Sequence, residues 1–225
     1  MHLVRVKICG VTTPAEARFA ADCGADALGL NFYPKSSRFI TSDQATRIVR
    51  ELPPFTAAVG VFVEADDIDV VATAARFGLR GVQTYTADPP RTDFHPAAHI
   101  PAFRVNDASS LATIRDFVAA TLSAGRPPAA VLVDSFVAGE IGGTGHVAPW
   151  ELLAGFDPGV PLILAGGLTP ENVGDAIRAV RPWGVDVASG VEASPGRKDR
   201  GKVRAFVQAV RAAAAELAAE NRVSG

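Results

Sequence analysis

The 225-residue sequence is short of several things. It holds two cysteines, Cys9 and Cys23, far too few for a disulfide framework in a chain of this length, and two free thiols fit a reducing compartment, the cytoplasm. Charge of one sign is lacking: 22 Lys and Arg face 24 Asp and Glu, a net charge of −2. No positive surplus exists to neutralise a phosphodiester backbone, so nucleic acid is not an expected partner. Long apolar runs are missing as well. Stretches such as Pro161 to Leu168 fall far below the roughly 18 residues of a membrane span, and the opening MHLVRVKICG shows no charged-then-apolar leader. Neither membrane insertion nor secretion is expected. The histidines, at positions 2, 95, 99 and 146, are scattered rather than set at ligand spacing, so no metal site is expected. Neither Ser135 nor Ser189 lies in a G-x-S-x-G context.

What the chain does have is apolar material, 48% of its residues, enough for one sizeable core that buries roughly 70% of the unfolded surface. A single domain over residues 1–225 is expected, because α/β barrels often run to this length. Short apolar, β-branched runs alternate with Ala-rich stretches of helical period, which reads as successive βα units. The predicted strands are Leu3–Cys9, Ala27–Phe32, Ala57–Val63, Gly81–Tyr85, Ile100–Val105, Ala129–Asp134, Pro161–Ala165 and Val185–Ser189. Several are apolar at consecutive positions, as in AAVLVD, which suits parallel strands covered on both faces. Helix starts are predicted at Thr13-Pro14, Ser42-Asp43, Asp66-Asp67 and Thr169-Pro170, each pairing a capping oxygen with proline or acid in the first turn. The fourth connection carries three prolines between Asp88 and Pro96, so its helix is short or broken. The expected architecture is a (β/α)8 TIM barrel with a degenerate fourth helix; an open doubly wound sheet is the alternative.

In such barrels the C-terminal strand ends form the active face. Those ends carry Cys9-Gly10, Asn31 followed by Arg38, Gln83, Arg104, Asp134, Gly166-Gly167 and Ser189-Gly190. Glycine lets backbone amides approach an anion closely, and a following helix N-terminus adds partial positive charge. One glycine pair could merely turn the chain. Two in successive late units, Gly166-Gly167 and Ser189-Gly190, point to a phosphate. The glycine-rich stretch Gly139 to Gly145 lacks the Lys-Ser/Thr ending of a nucleotide loop and the dinucleotide spacing, so neither ATP nor NAD is indicated. Taken alone it fits a surface loop as well as a substrate loop. Cys9 near Lys7 or Arg38 could be a thiolate at moderate pH, although from the residues alone a buried structural cysteine is the stronger reading. Cys23 is a small core residue. Asp134 ends an apolar strand, where a carboxylate is costly unless paired or facing a pocket.

Read in order, KICG, GADALGLNFYPKSSRFI, VGVFV, LVDSFVAGEIGGTG, LAGGLTPENV and GVDVASGVEASPGRKD make the chain resemble the phosphoribosylanthranilate isomerase family from its first strand to its last helix. The resemblance implies a cofactor-free barrel that converts N-(5-phosphoribosyl)anthranilate into 1-(2-carboxyphenylamino)-1-deoxyribulose 5-phosphate in tryptophan biosynthesis. It implies Cys9 as general base, Asp134 as general acid and Arg38 near the anthranilate carboxylate. Substrate contacts are expected at Arg38, Gln83, Gly143, Thr144 and Gly145, and phosphate contacts at Gly166, Gly167, Ser189 and Gly190. An Amadori rearrangement needs a proton delivered to the ribose ring oxygen and another taken from C2′, so one acid and one base suffice. The partner is then a small phosphorylated molecule, and the chain is expected to be a monomer. The sequence departs from the family pattern at Tyr85 and Thr86 after the fourth strand, at Pro101, and at His146 and Pro149, which bears on the pocket wall more than on the reaction class. Two rival readings are an isomerase or epimerase of another sugar phosphate, and a catalytically silent barrel that only binds a phosphorylated metabolite.

Overall fold

In the computed structural model, which describes residues 4–86, 88–134 and 150–223, eight parallel strands close into a barrel. The elements run β1 (Arg5–Cys9), α1 (Pro14–Asp22), β2 (Ala27–Asn31), α2 (Ser42–Arg50), β3 (Ala57–Val63), α3 (Asp67–Phe77), β4 (Gly81–Tyr85) and β5 (Ala98–Arg104). They continue with α4 (Ala108–Ser123), β6 (Val131–Asp134), α5 (Trp150–Leu153), β7 (Leu162–Ala165), α6 (Val173–Val180) and β8 (Gly184–Val187). The short strands β9 (Glu192–Ser194) and β10 (Arg197–Lys198) form a two-stranded ribbon before α7 (Arg200–Val223). β8 pairs with β1, with Lys7 opposite Asp186, and this closes the ring. Among the described residues no helix is long and apolar enough to cross a membrane.

Side chains alternate between the two faces of each strand, so one period-2 register decides what the helices cover and what the barrel encloses. Val6 and Ile8 of β1, Leu28 and Leu30 of β2, Val131 and Val133 of β6 and Val185 and Val187 of β8 point outward and join the helices in one large core. Val59, Ile100, Ala102, Leu132, Ile163 and Ala165 form a second, smaller cluster inside the barrel. The residues between the outward ones on β1 are Lys7 and Cys9. On β6 the same register turns Asp134 the way Leu132 points.

The helix caps show how local chemistry sets each boundary. Thr13 accepts from Glu16 N and Pro14 opens α1, as its sequence predicts. The cap of α2 is Thr41, one residue before the predicted Ser42, because Gln44 reaches back to complete a capping box. Asp66 caps α3 by position but makes no side-chain cap bond. The prediction that Thr169-Pro170 begins the helix after the seventh strand is incorrect: α6 starts at Val173. Asn172 is the reason. Its Oδ1 accepts from Thr169 N at 2.7 Å and its Nδ2 donates to the Gly167 carbonyl at 3.0 Å, which holds residues 167–172 as a turn instead of a first helical turn. The eighth strand likewise ends at Val187, and Ser189–Val191 form a 3₁₀ turn.

Between β4 and β5 the described residues contain no helix, in keeping with the prolines there. Asp67 takes over part of the tethering, with its Oδ2 accepting from Arg91 N at 2.7 Å and Thr92 N at 3.1 Å. Behind this loop His99 meets Thr84 Oγ1 at 3.0 Å and packs against Phe94, and burial pulls its pKa down to about 4, so it stays neutral. β5 begins at Ala98, two residues before its predicted start, because Ala98 and His99 pair with Gly81 and Val82.

The outer core carries the stability. Phe206 on α7 is fully buried, whereas Ile68 on α3 is exposed. Urea unfolding is expected to show Phe206→Ala costing about 3–5 kcal/mol, and Ile68→Ala within about 0.5 kcal/mol of the parent.

Candidate active site

The C-terminal mouth of the barrel opens into a cavity of about 780 Å³. Its lining draws on every strand end, with Cys9, Asn31, Val63, Tyr85, Arg104, Asp134, Ala165 and Asp186 among the contributors, and Arg38, Gly166, Gly167 and Ser189 from the loops above. Most of the predicted site residues thus meet at one place: Cys9, Asp134, Arg38, Gly166, Gly167 and Ser189 all face this cavity. Gly190 does not line it but sits where the two late loops touch, since a Cβ there would run into the Leu168 carbonyl oxygen. Gly166 and Gly167 have φ of +91° and +61°, conformations that favour glycine. Gly143, Thr144, Gly145, His146 and Pro149 lie outside the described residues.

Gln83 is placed differently from its expectation as a substrate contact. It is 1% exposed and lies in the barrel interior, beneath the cavity, where its Oε1 accepts from Lys7 Nζ at 2.9 Å. Lys7 also donates to Asp186 Oδ1 at 2.9 Å, and both side chains are almost wholly buried. Burial opposes the charge on Lys7, but the groups around it, the adjoining Asp186 first among them, together hold the ammonium well above its usual range. Gln83 Nε2 in turn donates to Tyr85 Oη at 3.3 Å.

The thiol of Cys9 occupies a slot that β2 leaves open. Gly29 stands opposite Cys9 in the sheet, and a Cβ on Gly29 would sit 2.7 Å from Sγ. Cys9 is 8% exposed, and burial pushes its thiol above the ordinary value; Asp186 adds to that rise while Lys7 and Lys198 draw it partly back. Of the two readings the sequence left open for Cys9, a thiolate near cations or a buried thiol, burial favours the second. Two cations are near, but desolvation outweighs them.

Arg38 reaches the rim with its stem laid over Gly10, whose φ is +74°. Its Nε and Nη2 grip Glu192 at 2.8 and 2.7 Å, a bidentate pair, and Lys198 Nζ meets the same carboxylate at 2.9 Å. Burial alone would raise the Glu192 pKa, but hydrogen bonds from Arg38 and Lys198 hold it below the usual carboxylate range. Lys198 also donates to the Ala188 carbonyl at 3.0 Å, next to Ser189. Glu192, Lys198 and Asp186 were not singled out from the sequence. Asp186 had the same signal as Asp134, a carboxylate in an apolar strand, whereas the partnership of Arg38 with Glu192 spans 154 residues and leaves no local mark. Cys23 is the C-cap of α1 and half-buried, away from the mouth.

A raised thiol pKa leaves less thiolate at neutral pH. If Cys9 is the base, kcat/KM is therefore expected to keep climbing through pH 8.5, and alkylation of Cys9 by iodoacetamide in a Cys23→Ser background should follow the same curve. A plateau already reached at pH 7 would contradict this placement of the thiol.

Comparison with known proteins agrees with the geometry. Residues 6–209 match the family model described as N-(5'phosphoribosyl)anthranilate (PRA) isomerase. The N-(5'-phosphoribosyl)anthranilate isomerase of Geobacter sulfurreducens is 44% identical over 207 residues, covering 92% of this chain and 98% of that one. Among solved structures, one described as mutually generated monomers of the dimeric isomerase from Thermotoga maritima superposes with a TM-score of 0.79 at 34% identity, over 93% of this chain and 100% of that one. Another, a phosphoribosyl anthranilate isomerase in complex with reduced 1-(o-carboxyphenylamino)-1-deoxyribulose 5-phosphate, gives 0.78 at 34% identity over the same shares. With a barrel closed by Lys7 and Asp186, a mouth that gathers Cys9 and Asp134, and matches over nearly its whole length, the chain belongs to the N-(5'-phosphoribosyl)anthranilate isomerase family.

Proposed function

We propose that the cavity at the C-terminal mouth carries out its isomerisation with Cys9 as the base, Asp134 as the acid and the two late glycine loops as the phosphate anchor. The chain catalyses the Amadori rearrangement of N-(5'-phosphoribosyl)anthranilate, a step of tryptophan biosynthesis. The observation that carries the residue assignment is that a thiol from β1 and a carboxylate from β6 line one cavity with the glycine loops after β7 and β8.

The steps follow from the groups present. The Asp134 carboxyl gives its proton to the ribose ring oxygen, the C1′–O bond breaks, and the anthranilate nitrogen lone pair forms the C1′=N bond of a Schiff base. The Cys9 thiolate then takes the C2′ proton; that electron pair becomes the C1′=C2′ bond, and the C=N electrons return to nitrogen as an enolamine. Tautomerisation moves the C2′ hydroxyl proton to C1′ and leaves the 2-ketose. The phosphate is remote from these bonds, so its binding energy fixes the sugar between the two groups. Gly166 and Gly167 bring backbone close to it, and Ser189 adds a hydroxyl from the next loop. Arg38, held on Glu192, presents positive charge at the rim for the anthranilate carboxylate. Gly143, Thr144 and Gly145 complete the proposed substrate contacts. Gln83 acts from beneath, through Lys7 and Tyr85.

Purified protein supplied with phosphoribosylanthranilate formed in situ should remove its fluorescence. Cys9→Ala and Asp134→Asn are each expected to lose about 10²–10⁴-fold in kcat while still binding inorganic phosphate. Near-parental rates in both variants would sink the assignment of roles.

The opposite mouth bears on assembly. Phe55 is 96% exposed and Trp183 45%, and both border an apolar depression of about 400 Å³ at the N-terminal ends of the strands. One face thus offers both an aromatic knob and a hole, the self-complementary pattern that a two-fold axis requires. We infer that two copies pair through this face, in place of the monomer read from the sequence. Sedimentation should show the mass of two chains at micromolar concentration, and Phe55→Ser should shift it to one; a single-chain mass for the parent at every concentration overturns the pairing. The free thiols Cys9 and Cys23 support a cytoplasmic setting.

A further inference from the structure

Tyr85 is one of two tyrosines in the chain, and it stands on the wall of the cavity at the end of β4. Its neighbours determine which way its hydroxyl hydrogen points. Lys7 is an ammonium with three donors and no acceptor, so the atom of Gln83 that meets it must be the carbonyl Oε1. The amide orientation is thereby set, and the Nε2 donor of Gln83 is left to face Tyr85 Oη. The phenol oxygen accepts that bond. Its own hydrogen must be donated elsewhere, and among the described residues nothing accepts it. Lys7 donates one way to Asp186 and the other way to Gln83, so from Lys7 through Gln83 to Tyr85 the hydrogen bonds run with one polarity, starting on a buried ammonium and ending on an O–H at the cavity wall.

The substrate's layout says what that O–H meets. Phosphate lies at the loops after β7 and β8, and the sugar lies between Cys9 on β1 and Asp134 on β6. The rest of the molecule then extends across the barrel, toward β3 and β4, where Val61 and Val63 supply apolar wall and Tyr85 supplies the donor. We propose that Tyr85, aimed by Gln83 and Lys7, donates a hydrogen bond from the cavity wall to the anthranilate carboxylate that Arg38 meets from the rim, and is a residue by which this barrel selects an ortho-carboxylated aniline. Burial, with the charge of Asp186 adding, pushes the phenol up, which keeps it a donor at neutral pH. The inference rests on the proposed placement of Cys9 and Asp134.

The test compares two substrates, the adducts of ribose 5-phosphate with anthranilate and with aniline, which differ only in the carboxylate. The parent is expected to favour the first in kcat/KM, and Tyr85→Phe to lower that preference about tenfold, the worth of one hydrogen bond to a charged group. Gln83→Met, which removes the aiming donor, should lower the preference in the parent and do nothing further in the Tyr85→Phe background. An unchanged preference in Tyr85→Phe overturns the proposal, as does a Gln83→Met effect of equal size in both backgrounds. A hydroxyl that served the sugar instead would slow both substrates equally and leave the preference intact. Failure of the underlying roles shows separately, as turnover of both adducts retained by Cys9→Ala.

Discussion

The buried pair of Lys7 and Asp186 is the constraint on which the rest of the barrel depends. It spans the seam where the first and last strands meet, in direct register, and it stands beneath the reactive mouth. Two ions removed from water cost several kcal/mol each, so the pair persists only where hydrogen bonds satisfy it. Here the ammonium has Asp186 and Gln83 as acceptors, both at 2.9 Å. The pair therefore ties three strands, β1, β4 and β8, at one level of the barrel. Through Gln83 it sets the orientation of Tyr85, and through space its cation partly offsets the desolvation of Cys9.

Above that level, a second group of charges organises the rim. Glu192 is gripped by Arg38 from the loop after β2 and by Lys198 from β10, and Lys202 donates to its backbone carbonyl at 3.0 Å. The loop that carries Ser189 is thus anchored to the loop that carries Arg38. Close packing does the same for the other late loop, because Gly190 lies directly against Leu168. The loops of the proposed phosphate site and the cationic rim are thus tied into one ring of contacts rather than standing as separate devices.

Much of this was legible in the sequence because strand registers leave a period-2 trace. That trace located β3 and β4 to the residue and the other barrel strands to within two residues. The prolines of residues 88–96 correctly marked the missing helix. Boundaries failed where a side chain competed with the backbone: Gln44 moved one cap to Thr41, and Asn172 delayed α6 to Val173. That Cys9, Asp134, Gly166, Gly167 and Ser189 border one cavity could be read because strand-end residues of parallel sheets share a face. The depth of Gln83 could not, since the same alternation puts inward residues at two levels and only closure of the barrel tells floor from mouth. Long-range pairs such as Arg38 with Glu192 leave no periodicity to read. The sequence left Cys9 open between a thiolate near cations and a buried thiol, because nearby cations can be counted in a sequence and the depth of burial that opposes them cannot.

The missing fourth helix has a consequence for how such a barrel changes over generations. Strand β4 packs against α3 on one side and, on the side toward β5, against a loop held through Asp67, Phe94 and the bond between Thr84 and His99, where other strands have a helix. The wall at β4, where the aromatic half of the substrate is proposed to rest, is therefore a part of the cavity whose loop-side backing changes without displacing a helix, while the proposed proton-transfer pair sits on β1 and β6. New preferences among aryl amines would arise there first.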